Sequence, residues 1–247
     1  MQKDFITGSL RAPGAQTILV PRIVRLIQAF ESKPIILTRD AHPEGHCSFE
    51  SQEKPGFPVH CIQGEDGSKL DDTIWEAVHN RNGKTIHAFK GYMPNQDSFS
   101  AFPYTDNNHA LSKGLRKNDI YSSGGSLAAT GALCLKEDRN AKADTNIVSP
   151  TTEQLTASSP SEYEPINDVL TNGILSNCNT IYVCGLVADY CVLDTAVMAK
   201  ANFPNKRVVY LSSYTRPSGV WSIVGHDPLI IRDTLLDAKV EITNAMC

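Results

Sequence analysis

Apolar positions along this chain follow one recurring pattern. Between Pro21 and Phe30 they fall at Ile23, Leu26, Ile27 and Phe30, the spacing of one helix face, and Pro21 suits the first turn, where a missing N–H costs nothing. Pro34-Ile35-Ile36-Leu37-Thr38 follows as a short, continuous β-branched and apolar run, the signature of a buried parallel strand. The pattern predicts a helix over 72–80, a strand over 85–89, a helix over 166–175 and a strand over 180–184. A helix over 191–201, with Val192, Ala196 and Val197 on one side, a strand over 207–211 and a helix over 228–237 complete it. Strands alternating with helices imply βαβ units, an α/β fold and a mostly parallel sheet.

One stretch breaks the rhythm. From 118 to about 165 the chain is rich in Ser, Thr, Ala, Asn and Asp and has little hydrophobic periodicity. Its composition predicts a disordered surface insertion; a lid or an oligomer contact is the alternative. No internal repeat is present, and residues 1–247 read as a single domain.

Composition narrows the classes. A chain of 247 residues, 41% hydrophobic, can bury a sizeable core. With 23 basic against 27 acidic residues the formal charge is −4, which disfavours a nucleic-acid partner, because phosphate binding needs a clustered Lys/Arg field. No apolar run approaches the roughly 18 residues of a membrane span. The opening Met1-Gln2-Lys3-Asp4-Phe5 lacks the apolar core of a signal peptide, so a cytoplasmic protein is expected, with the nucleus or peroxisome left open. Seven cysteines, an odd number without a secretory signal, do not read as a disulfide framework.

Candidate chemistry gathers after three predicted strands, where open parallel sheets bind ligands. Arg39-Asp40-Ala41-His42-Pro43-Glu44-Gly45-His46 follows the first, Lys90 the second, and Gly185-Leu186-Val187-Ala188-Asp189-Tyr190-Cys191 the third. Asp40 and His42, two apart, project to one side of an extended segment, and Phe57-Pro58-Val59-His60-Cys61 could return another imidazole. A carboxylate with two or three imidazoles suits Zn²⁺ or Fe²⁺ and leaves positions open; the plainer alternative is a turn cap with surface histidines. Cys191 at the first turn of a helix would have its thiolate favoured by the helix dipole and by a nearby Lys90, and backbone N–H groups there can hold an oxyanion. A buried structural cysteine and a solvated lysine are the plainer alternatives.

At these residues the sequence resembles the nicotinamidase branch of the isochorismatase-like cysteine hydrolases. The matching blocks are Gln2-Lys3-Asp4-Phe5 with Gly8-Ser9-Leu10, Thr38-Arg39-Asp40-Ala41-His42-Pro43 with His46, and Phe57-Pro58-Val59-His60-Cys61. Lys90-Gly91, Asp97-Ser98-Phe99-Ser100-Ala101-Phe102, Val183-Cys184-Gly185-Leu186-Val187-Ala188-Asp189-Tyr190-Cys191 and Tyr214-Thr215-Arg216-Pro217 follow in family order. The resemblance implies a three-layer α-β-α fold and an amidase that converts nicotinamide to nicotinic acid and ammonia, in pyridine nucleotide salvage. It makes Cys191 the nucleophile, Lys90 the cation beside it, and Asp40, His42 and His60 the metal ligands, with His46 a fourth ligand in some members. Zinc is the expected metal, iron or manganese the alternatives. The oxyanion hole would be the N–H groups of Val187 and Cys191, with a cis peptide at Leu186–Val187. Phe5, Phe57, Phe99 and Tyr190 match the aromatic wall around the ring, Phe57 standing where the family usually has Trp.

One departure matters. The family motif begins Asp-x-Gln-x-Asp-Phe, and its first Asp ends the first strand as general base. Here Gln2 fills the Gln position, so that Asp and its strand would precede Met1. The expectation is therefore a longer true chain. The runner-up readings are another isochorismatase-like amidase and a catalytically impaired homologue with a binding role. Nicotinamide is the expected small-molecule partner, no nucleic acid or membrane is expected, and a homo-oligomer is left open.

Overall fold

The computed structural model describes residues 1–51, 56–105, 126–127, 131–136, 146–157, 162–219 and 228–244. Helix α1 (Lys3–Ile6) is a short opening turn, and α2 (Val20–Ala29) follows a wider helical turn at Ala15–Leu19. Its apolar positions bury Val20, Ile23, Leu26 and Ile27, and a proline occupies the first turn, as the spacing predicts. Strand β1 (Ile35–Asp40) and helix α3 (Asp72–His79) come next; Asp71 caps α3 by accepting from the backbone N–H groups of Thr73 and Ile74. Strand β2 (Thr85–Lys90) runs parallel to β1. The short strands β3 (Gln96–Asp97) and β4 (Ser126–Leu127) form a parallel pair of their own.

Parts of the 118–165 stretch, for which composition predicts an insertion without regular structure, are among the described residues and carry regular elements. Its described residues include strand β5 (Leu133–Leu135), helix α4 (Thr152–Thr156), closed by a capping box at Thr151 and Gln154, and the start of strand β6 (Tyr163–Pro165). β5 pairs antiparallel with β2, and β6 pairs antiparallel with β5, so the sheet order is β1-β2-β5-β6. Segment 146–151 crosses the end of β1. Ser149 Oγ donates to Asp40 O at 2.7 Å, and Arg39 Nη2 donates to Ile147 O at 2.7 Å. Three-residue strands such as β5 and β6 are too short to display a period in the sequence. Residues 118–125, 128–130, 137–145 and 158–161 of that stretch lie outside the described ones.

Helix α5 (Ile166–Val169) continues as a wider turn over Leu170–Ile174. A second, all-parallel sheet holds β7 (Thr180–Leu186), β8 (Arg207–Arg216) and β9 (Glu241–Thr243), with helices α6 (Leu193–Asn202) and α7 (Pro228–Asp237) between them.

Strand alternation divides the core. In β8, Val209 and Leu211 join a cluster with Leu19, Leu26 and Ile74 of the α2–α3 side, whereas Val208 and Tyr210 join Leu170, Ala196, Met198 and Leu235 of the α5–α7 side. The architecture is thus α/β, in three layers. α6 is buried all round from Leu193 to Ala199, so it belongs to the centre of its layer rather than to the surface. Met198 is fully enclosed there, and Met198→Ala is expected to cost about 2–5 kcal/mol in a denaturant titration. Among the described residues, no helix is long and apolar enough to cross a membrane.

Candidate active site

β1 and β2 end side by side. Their parallel register pairs Asp40 with Lys90, so a carboxylate and an ammonium leave the sheet at one point. Both side chains are buried, and they form an ion pair. Lys90 Nζ also donates to Ser98 O at 2.8 Å and to Cys191 Sγ at 3.6 Å. Burial works against both charges, yet each is held by the other: Asp40 raises the Lys90 pKa above its ordinary value, and Lys90 carries Asp40 below the usual carboxylate range.

The third strand delivers the thiol. β7 ends at Leu186, the Leu186–Val187 peptide is cis, and a wide turn over Ala188–Val192 leads Cys191 into α6. Cys191 is half-buried and lines the cavity. Elsewhere burial favours the thiol form: Cys184 is pushed up to about 12, and Cys61 is raised well above its ordinary range.

The imidazoles arrive by backbone pairing. His42 N donates to Cys61 O at 3.1 Å and Gln63 N donates to His42 O at 2.9 Å, which lays the loop after Phe57 alongside the end of β1. Asp40 Oδ2 then stands 3.7 Å from His42 Nε2 and 3.9 Å from His60 Nε2. The other ring nitrogens face carbonyls, His42 Nδ1 meeting Gly91 O and His60 Nδ1 meeting Pro58 O, each at 2.8 Å. A carbonyl only accepts, so each Nδ1 carries a proton and the Nε2 atoms turn toward Asp40. Gly91 has φ 62°, and a Cβ there would sit 2.8 Å from His42 Nδ1, so only glycine leaves room for the ring. Burial, then the neighbouring His42, pushes His60 down to about 3, which keeps its ring neutral. For His42 burial is outweighed by the Asp40 hydrogen bond, and its pKa is raised.

One carboxylate and two imidazole donors, all buried, have their ligand atoms within 4.8 Å of one another. That donor set fits a borderline divalent cation, with coordination positions left open. Beside it lies a cavity lined by Phe5, Phe57, Phe99 and Tyr190. The rings of Phe57 and Tyr190 are 5.4 Å apart and those of Phe99 and Tyr190 5.2 Å, so the four predicted aromatics include three in mutual contact. Phe5 packs on His60 at 5.6 Å. Val187 lines the same space.

The chain is 32% identical over 129 residues to the nicotinamidase of Saccharomyces cerevisiae and 32% identical over 120 residues to that of Escherichia coli. The matches cover 41% of this chain and 58% and 53% of those proteins, so the chain spans little more than half the length of the curated relatives it matches. No family model matches it. Its structure is similar to that of the yeast nicotinamidase Pnc1p, with a TM-score of 0.62 and 22% identity over 99% of this chain and 96% of that one. PnC1 from L. infantum, solved in complex with nicotinate, gives a TM-score of 0.58 and 24% identity over 98% and 88% of the two chains. The chain shares its fold with these two structures.

Within this fold, His46 stands outside the Asp40–His42–His60 group. Its ring stacks on His42 at 4.1 Å, its Nδ1 pairs with Ser48 Oγ at 2.7 Å and its Nε2 with Gln96 O at 3.1 Å. Its donor atom groups instead with those of His42 and Asp97. Burial and the adjacent His42 push it down to about 4. Sequence reasoning gave no role to Gly91 O, Pro58 O, Ser98 O or the Gln2 side chain. Gln2 Nε2 donates to Asp40 O at 2.8 Å and Gln2 Oε1 accepts from Asp40 N at 2.7 Å, holding the last residue of β1 from both sides. Backbone acceptors carry no residue-type signal, and only the motif position of Gln2 could have drawn attention to it.

Proposed function

We propose that the chain hydrolyses nicotinamide to nicotinate and ammonia, a step of pyridine nucleotide salvage, through a thioester on Cys191. The reading is carried by one observation: Lys90 Nζ meets both the Asp40 carboxylate and, at 3.6 Å, the Cys191 sulfur at the edge of an aromatic cavity. An ammonium at that distance favours thiolate over thiol. The sulfur bonds to the carboxamide carbon while the carbonyl π pair moves onto oxygen, where the N–H groups of Val187 and Cys191 form the oxyanion hole. Collapse breaks the C–N bond, and ammonia leaves with the proton that the thiol gave up. Water then adds to the thioester, the C–S bond breaks, and nicotinate departs as the thiol re-forms. One water is consumed per turnover.

Asp40, His42 and His60 would hold a divalent cation, zinc first by their donor chemistry and iron or manganese next. When bound, that cation supplies a Lewis acid able to orient the pyridine nitrogen and a water. Phe5, Phe57, Phe99 and Tyr190 enclose the ring, and apolar walls with a few convergent polar groups suit a flat aromatic amide.

Ammonia release from nicotinamide tests the reading. It is expected from the zinc-loaded protein, to be lost on treatment with a chelator, and to return when zinc is restored. His60→Ala is expected to lower cation uptake together with rate. A zinc-loaded chain that releases ammonia from other carboxamides and not from nicotinamide would instead favour a different amidase on the same fold.

A further inference from the structure

Asp4 lies in the first turn of α1, far along the chain from Asp40, His42, His60 and Cys191, and its carboxylate points at the loop that carries His60. Asp4 Oδ2 accepts a hydrogen bond from Cys61 N at 2.7 Å. Cys61 is one of two described non-glycine residues with positive φ, at 49°, a conformation an ordinary residue keeps only when its surroundings hold it. The turn it makes directly follows His60, and Cys61 O is the acceptor that ties the loop back to His42 N at 3.1 Å. Space around the carboxylate is reserved as well. A Cβ on Gly67 would overlap the Asp4 carboxylate, and a Cβ on Gly8 would overlap Asp4 Oδ1 and the Asp4 backbone. Gly67 has no need of a left-handed backbone; its lack of a side chain serves the close approach of Asp4. Two residues earlier, Gln2 brackets the main chain of Asp40. One short segment thus grips both chain sections whose donors converge.

We infer that Asp4 is a positioning residue for the cation site: its hydrogen bond to Cys61 N–H, in the space left by Gly8 and Gly67, sets where His60 Nε2 stands relative to Asp40. The inference rests on the reading of Asp40, His42 and His60 as cation ligands. Asp4 touches neither the cation position nor the reacting sulfur, so it acts through His60. Partners of this kind, which orient a ligand without binding the metal, typically change metal affinity about 10–100-fold when removed.

The test is Co²⁺ titration of the chelator-treated full chain, read by d–d absorbance, with the melting midpoint of the cation-free protein measured alongside. The wild-type chain is expected to take up Co²⁺ with a tetrahedral or five-coordinate spectrum. Asp4→Ala is expected to weaken binding by about 10–100-fold and shift that spectrum, while Asp4→Asn, which keeps an acceptor oxygen, stays within about 3-fold of wild type. Gly67→Ala, which displaces the carboxylate without removing it, should reproduce the loss, and Asp4→Ala/Gly67→Ala should be no weaker than Asp4→Ala. If Asp4→Ala does not fold, Asp4→Asn and Gly67→Ala carry the comparison. A merely structural role would lower the melting midpoint and leave affinity and spectrum in place, which overturns the inference. So would an Asp4→Asn as impaired as Asp4→Ala, or a Gly67→Ala effect that adds in full. A wild-type chain that takes up no Co²⁺ and no Zn²⁺ is a separate result: it removes the cation reading itself.

Discussion

Cys191→Ala is expected to abolish ammonia release from nicotinamide while leaving cation uptake and thermal stability near those of wild type. The expected loss is on the order of 10⁶-fold, the scale seen when a covalent nucleophile is deleted and only binding remains. The geometry singles out this sulfur. Lys90 Nζ donates to it at 3.6 Å, and it lines the cavity. The neighbouring thiols are poor substitutes, because burial holds Cys184 at about 12 and Cys61 higher than its ordinary value. The sulfur is not one of the three cation donors, so metal content should not change. Mass spectrometry of a quenched reaction should show the acyl adduct on wild type and none on the variant. Residual turnover within tenfold of wild type would remove Cys191 from the mechanism.

Lys90→Ala is expected to damage both stability and rate. Lys90 and Asp40 are almost fully enclosed, and removing one partner of a buried pair leaves the other charge without compensation, a cost of about 3–5 kcal/mol. The effect should be largest in chelator, since a bound cation would take over part of the compensation. Removing both charges differs from removing one. Asp40→Asn/Lys90→Met should recover much of the lost stability, because no isolated carboxylate remains. Urea titrations of wild type, Asp40→Asn, Lys90→Met and the double variant give this cycle directly. Rate should fall as well, because Lys90 Nζ is the ammonium that donates to the Cys191 sulfur, at 3.6 Å. An unchanged unfolding midpoint for Lys90→Ala would mean that the pair is not energetically buried.

These outcomes trace back unevenly to the primary sequence. Asp40 and Lys90 were legible as neighbours because each ends a run of strand character, and a parallel pair brings equivalent ends together. Cys191 was legible as the first turn after a third such run. The aromatic wall was legible only through the family resemblance, since Phe57, Phe99 and Tyr190 alone read as core. His46 shows the limit. Two histidines four positions apart in a loop look equivalent, but the turn at Pro43–His46 and the hydrogen bonds to Ser48 Oγ and Gln96 O rotate the second ring away from the Asp40 group.

The alternation of the longer strands and helices and the gathering of Asp40, Lys90 and Cys191 at strand ends followed from the chain alone, because periodic burial is a local property written into residue spacing. Tertiary structure decided the antiparallel pairing of Leu133–Leu135 and Tyr163–Pro165, the approach of His60 to Asp40, and the reach of Asp4 to Cys61 across 57 positions. Those depend on backbone groups finding partners from distant segments, and a carbonyl or an N–H looks the same in every residue.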